Sequence, residues 1–178
     1  MKMNYEVNRE SLLVYQLYFA SQSRRIQRQR KLGWFVVTIP CLILVPLYIS
    51  SGYYAGAFVL GIIGLIWLAG YPFYSRWRYR RHYEKHIDEA LKGMMNRKVS
   101  IELAAELLLE DEFAKSQIKL EHIQSVVFIP GFVILMLQTG QGITLPRDQL
   151  GKDLDTFVDD LLSRTRLELT DHSHWKWK

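Results

Sequence analysis

The stretch RRIQRQRKLGWFVVTIPCLILVPLYISSGYYAGAFVLGIIGLIWLAGYPFYSRWRYRRHYEK, residues Arg24–Lys85, decides how the chain is read. At its centre lie 44 uncharged residues, positions 32–75, bracketed by arginine and lysine on both sides. A helix rises about 1.5 Å per residue and the hydrocarbon core of a bilayer is about 30 Å thick, so one span needs roughly 20 residues. The run is too long for one span and long enough for two. The first is expected at 33–49 and the second at 54–74, with Ser50-Ser51-Gly52-Tyr53 as the turn. Pro40 and Pro46 fall inside the first span, which lipid-embedded helices tolerate, and a bend is expected there. Trp34, Tyr48, Tyr53, Tyr54, Tyr71 and Tyr74 sit at the ends of the spans, the depth aromatic side chains prefer.

Working outward, the charge belongs to the boundary of this run. The chain of 178 residues carries a net charge of +5. Ten basic residues flank the apolar run: Arg24, Arg25, Arg28, Arg30 and Lys31 before it, and Arg76, Arg78, Arg80, Arg81 and Lys85 after it. Without them the remainder is acidic. The expected contacts of these ten are anionic lipid headgroups, each contributing on the order of 1 kcal/mol near the leaflet, and not nucleic acid. Basic flanks stay in the cytoplasm, and the turn has no charge to resist translocation. Both termini are therefore expected in the cytoplasm of a multi-pass membrane protein. The first 30 residues interleave charged and apolar side chains without a compact apolar core, unlike a signal peptide. One cysteine, Cys41, leaves no internal disulfide to form.

Positions 1–31 read as a short strand, with Met3, Tyr5 and Val7 alternating, and then a helix capped by Asn8. Its apolar side is Leu12, Leu13, Leu17, Phe19 and Ala20, and it is expected to continue through Arg24–Lys31 into the first span. Positions 76–97 read as a basic exit helix, with breakers at Gly93 and Asn96. From 98 to 170 the pattern turns to short strands: VSIEL, ELLLED, FAKSQIKL, QSVVFI, FVILML and GITL. Pro130-Gly131 separates two of them as a hairpin signal. A helix from about Asp153 to Leu167, with Leu154, Phe157, Val158, Leu161 and Leu162 as its buried stripe, closes the domain. Strands followed by one amphipathic helix give an α+β domain, a cytoplasmic antiparallel sheet capped by that helix. Residues 171–178 remain as a tail.

This order of elements, with the segment KSQIKLEHIQSVVF and the strand FVILMLQTGQGITLPRDQL, resembles the YcxB-like family of bacterial two-span membrane proteins. That family carries an s-x-i-x-w-x-x-I pattern and then a strand ending in I-P-k/r. The counterparts here are Ser116, Ile118, Leu120, Ile123 and Leu145-Pro146-Arg147, with Leu120 standing where the family has tryptophan. The resemblance implies a bacterial pleckstrin-homology-like sheet domain and the bacterial cytoplasmic (inner) membrane. It implies no activity. Some small two-span proteins of this kind resemble immunity proteins.

Motifs that carry chemistry are weak. His82 and His86 share a helix face, but Glu84 stands two positions after His82, not directly after it as zinc-protease chemistry needs, and no third ligand is spaced to help. His172, His174, Trp175 and Trp177 with Lys176 and Lys178 read either as an interfacial anchor or as a frayed tail. Glu102, Glu106, Glu110, Asp111 and Glu112 offer carboxylates, with Glu110–Glu112 at a turn where charges are solvated. No phosphate-binding loop, nucleotide fingerprint or serine elbow is present. No catalytic residue, metal ligand or cofactor is expected. Ala57, Gly61 and Gly64 form a small-residue face, expected to pack within the hairpin, with a homo-oligomer as the alternative. The spans contain no Asp, Glu, Lys, Arg or His, unlike a transport route. The expected function is a membrane-anchored, non-enzymatic interaction protein, of the immunity type, with a protein partner at or in the membrane. The alternatives are an accessory subunit of a membrane complex, and an enzyme or ligand sensor at the membrane surface.

Overall fold

The computed structural model describes residues 2–165 and 167–177. The chain forms two compact units. One comprises residues up to Gln16 and from Lys85 to Lys176; the other comprises Leu17–Glu84 with Trp177.

Strand β1 (Lys2–Val7) leads to α1 (Arg9–Gln22). Asn8 caps this helix as its side chain suggests: its Oδ1 accepts the Ser11 amide at 2.7 Å, and the Ser11 hydroxyl donates back to the Asn8 carbonyl at 2.8 Å. Leu13, Leu17, Tyr18 and Ala20 are buried, whereas Phe19, expected on that face, is 42% exposed. The helix does not continue into the first span. Ser23 is extended (φ −72°, ψ 113°), and a new helix, α2 (Arg24–Ser50), begins after it. The cause is local: the Ser21 hydroxyl donates to the Tyr18 carbonyl and the Gln27 amide to the Ser21 carbonyl, so side chains take backbone acceptors from the helical ladder.

Helix α2 and helix α3 (Tyr54–Ala90) are 27 and 37 residues long. Both are long and apolar enough to cross a membrane. Pro40, Pro46 and Pro72 lie within them without ending them. The turn between them is a Schellman motif. Gly52 takes φ 78°, its amide bonds the Ile49 carbonyl at 3.1 Å, and the Tyr53 amide bonds the Tyr48 carbonyl at 2.8 Å. The rings of Tyr48 and Tyr53 meet edge to face at 6.4 Å, supplying the apolar contact that accompanies this cap. The expected turn thus holds. The basic exit helix is shorter than expected, ending at Ala90, and a 3-10 turn (Lys92–Met94) follows. Asn96 at φ 61° then reverses the chain, and its amide bonds the Val7 carbonyl at 2.8 Å.

The sheet unit is α+β, but it contains two sheets where one was expected. The strands are β2 (Arg97–Leu103), β3 (Leu107–Glu110), β4 (Lys115–Ile118), β5 (Ile123–Ile129), β6 (Phe132–Leu137), β7 (Gly142–Pro146) and β8 (Leu169–Asp171). The first sheet has the order β1-β2-β3-β4 and the second β7-β6-β5-β8. All pairings are antiparallel except β8, which runs parallel to β5. Helix α4 (Arg147–Thr165) is interrupted at Gly151 (φ 54°, ψ −133°), so its long segment begins close to the expected start at Asp153. Leu150, Leu154, Phe157, Val158 and Leu161 are buried, while Leu162 is half-buried. Together with Met3, Tyr5, Ile101, Leu107, Val126, Leu135 and Leu145 they form one core between helix and sheets. The tail also differs from expectation: β8 reaches Asp171, and the His172 amide donates to the Phe128 carbonyl at 2.8 Å.

Candidate functional site

In the sheet unit, an open cavity of about 530 Å³ lies between β1–β4, the β6–β7 hairpin and α1. Val7, Leu12, Leu91, Met94, Val99 and Ile118 give it apolar walls. Tyr15 of α1 is seated on β7 because Gly142 has no side chain: a Cβ there would lie 2.7 Å from the Tyr15 ring, and the Gly142 amide instead donates to the Tyr15 hydroxyl at 3.1 Å. Arg97 and Asp111 meet on another wall. The Arg97 Nη1 stands 3.4 Å from Asp111 Oδ2, and its guanidinium lies 4.6 Å from the Phe113 ring centroid. Asp111 Oδ1 accepts the amides of Phe113 and Ala114 at 2.8 and 2.7 Å. Those two amides, and then Arg97, hold its carboxyl below the usual aspartate range. Burial pushes the Tyr5 phenol upward. Its apolar walls and the polar groups of Arg97, Asp111 and Tyr15 give it the size and mixed lining of a small-molecule cavity.

Two carboxylates of the acidic cluster hold the β3–β4 turn. Glu110 pairs with Lys115 across β3–β4, and Asp111 caps the turn through the Phe113 and Ala114 amides. His82 and His86 are exposed, and among the described residues no group of three potential metal ligands occurs.

In the hairpin unit, the most apolar 18 residues of α2 have mean hydropathy 2.2 with none buried; in α3 the values are 1.8 and 6%. A core helix of a soluble protein of equal apolarity would be covered. Here Leu42, Phe58 and Phe73 are 69–70% exposed. The helices approach where one of them lacks bulk. A side chain on Gly33 would fall on the Tyr71 hydroxyl, one on Gly64 would meet Cys41 Cβ at 3.0 Å, and one on Gly56 would meet the Tyr48 ring at 2.6 Å. Of the expected packing residues, Ala57 is buried and Gly64 packs, whereas Gly61 has open space around it. Gly33 and Gly56 take the role assigned to Gly61. Their neighbours in space come from the other helix, which spacing along one helix does not reveal.

The collar is likewise divided. Arg24, Arg25, Arg28, Lys31 and Arg78 are exposed. Arg80 pairs with Glu84 at 2.9 Å, and Lys85 with Glu89 at 3.5 Å. Arg81 lies over Trp77 and Arg76 over Phe73. Arg30, expected among the outward contacts, is instead half-buried. Its Nε donates to Ser75 Oγ at 3.0 Å, and Ser75 is 3% exposed. Trp177 covers it: the ring centroid is 5.1 Å from the Arg30 guanidinium and 6.2 Å from that of Tyr79, and its Nε1 donates to the Arg76 carbonyl at 3.2 Å. Trp177 is therefore packed on the collar and is not a frayed end. Lys178 lies outside the described residues. The pairing of Arg30 with Ser75 and Trp177 is not legible in the sequence, because only the fold brings these residues together.

No family model, curated protein or solved structure matches the chain. The functional reading rests on the residues themselves.

Proposed function

We propose that the chain is a membrane-anchored, non-enzymatic binding protein of the bacterial cytoplasmic membrane. The observation that carries this reading is the hairpin unit: two helices whose apolar side chains face outward, bordered by nine basic residues and the single carboxylate of Glu84 between positions 17 and 84. Outward apolar surface calls for lipid, and unneutralised cations call for anionic headgroups. Both flanks of the hairpin then lie in the cytoplasm. Two sheets closed by a C-terminal helix suit the pleckstrin-homology-like domain that the YcxB-like resemblance implies. The partner is a protein embedded in or acting on the same membrane, as for an immunity-type protein, because tethering raises its effective concentration without a new contact. Affinity purification from gently solubilised membranes tests this. Recovery of one membrane protein, lost when the spans are replaced by an unrelated two-span hairpin, is the expected result.

A second reading, a ligand sensor, is favoured by the cavity between the sheets. Recovery of no protein partner together with a small molecule bound to the sheet unit would decide for it.

A further inference from the structure

We infer that the base of the hairpin holds a defined site for the phosphate of an anionic phospholipid, formed by Arg30, Lys31 and Ser75 with Trp34, Tyr71 and Pro72 as its apolar wall. The inference rests on the membrane reading above and adds to it a single bound lipid in place of diffuse attraction.

A groove of about 290 Å³ lies between α2 and α3 and is lined by these six residues and Gln27. It straddles the boundary of charge. Lys31 is the last charged residue before the uncharged run and Ser75 is the last residue within it. Polar groups therefore sit on one side of the groove, with Trp34, Tyr71 and Pro72 on the other. A phospholipid has the same division, a charged phosphate joined to an acyl chain. The donors are placed and unspent. Arg30 uses Nε on Ser75 and keeps its terminal nitrogens; Trp177 and Ser75 fix the plane of the guanidinium. Ser75 Oγ accepts from Arg30, which leaves its own proton to donate. Lys31 is exposed and has no carboxylate partner among the described residues. The Trp34 indole is held by a 3.2 Å bond to the Leu68 carbonyl, so it serves as a rigid wall. Arg30 holds this place at a cost in desolvation, and an arginine fork that meets a phosphate in two bonds recovers it. Basic pockets between spans on the cytoplasmic side are suited to phospholipid headgroups.

The test is native mass spectrometry of the full chain in detergent, titrated with phosphatidylglycerol, phosphatidylcholine or inorganic phosphate. One phosphatidylglycerol per chain is expected to survive where phosphatidylcholine does not. R30Q/K31Q is expected to weaken it about tenfold, the scale of one lost charge-assisted contact, and R24Q/R25Q, equal in charge removed, distinctly less. Equal losses from the two variants would overturn the site and leave only a diffuse collar. Displacement of the lipid by millimolar inorganic phosphate would overturn the lipid assignment. Failure of the chain to insert into liposomes would overturn the membrane reading itself, whereas insertion without lipid preference overturns the site alone. If R30Q/K31Q does not fold, tryptophan quenching by brominated phosphatidylglycerol replaces it: W34F is expected to lose more of the signal than W77F, and equal loss overturns the site.

Discussion

The Tyr71 hydroxyl occupies the place where a side chain on Gly33 would begin. At the other end of the hairpin the Tyr48 ring covers Gly56 in the same way, with Gly64 facing Cys41 between them. An aromatic ring from one helix thus fills the space that a glycine leaves on the other. In the proposed membrane setting lipid offers no hydrophobic drive between helices, so such close fits carry the association. Gly33→Leu and Gly56→Leu are each expected to cost about 1–3 kcal/mol by overpacking, while Gly61→Leu is near neutral. Thermal melting in detergent measures this. A Gly61 variant as unstable as the other two would contradict the assignment.

The strand β1 pairs along its whole length with β2, Met3 opposite Ile101 and Tyr5 opposite Val99, and both side chains are buried. It covers an edge that would otherwise invite foreign pairing. Met3→Ala is expected to cost about 2–5 kcal/mol, as for other buried truncations. Deleting residues 2–8 is expected to destabilise the sheet unit more. Unchanged melting of an Asn96–Lys178 fragment would show that β1 is dispensable.

Asp111 supplies a pH dependence. Its carboxyl titrates below the ordinary value in the folded chain, through the Phe113 and Ala114 amides and then Arg97. Its contribution is therefore present at neutral pH and is lost as pH falls below about 4, where the unfolded carboxyl already binds a proton. D111N is expected to melt lower than the wild type at pH 7, with the gap closing toward pH 3. A gap independent of pH would assign the effect to packing.

The proposed topology is tested at the turn. In a C41A background, a cysteine at Ser51 is expected to react with a membrane-impermeant reagent added outside intact cells, while reporters on both flanks remain inside. Protection of position 51 with labelled flanks would invert the orientation.

Trp177 joins the far end of the chain to the base of the hairpin. W177A removes a cation–π contact to Arg30 and a hydrogen bond to the Arg76 carbonyl, a loss of about 1–2 kcal/mol. A lower melting temperature in detergent is expected for W177A; an unchanged one would show that the tail is dispensable.

The sequence by itself determined whatever depends on near neighbours along the chain. The 44-residue uncharged run, the glycine of the Ser51-Gly52 turn, the Asn8 cap and the period-two strands each act within a few residues, and each stands where the pattern put it. The Ser21–Ser23 break is equally local, but its signal, the Ser21 and Gln27 side chains bonding backbone carbonyls, is masked by the continuing helical period. Tertiary structure alone decided the rest. The division into two sheets, the parallel docking of Leu169–Asp171 on β5, the cavity behind Tyr15 and the inward turn of Arg30 each join residues from 43 to 127 positions apart. Composition marks Arg30 as one more charge in the collar. Only the approach of α2 to α3, set by which glycine meets which ring, turns it toward Ser75 and leaves Arg24 facing out.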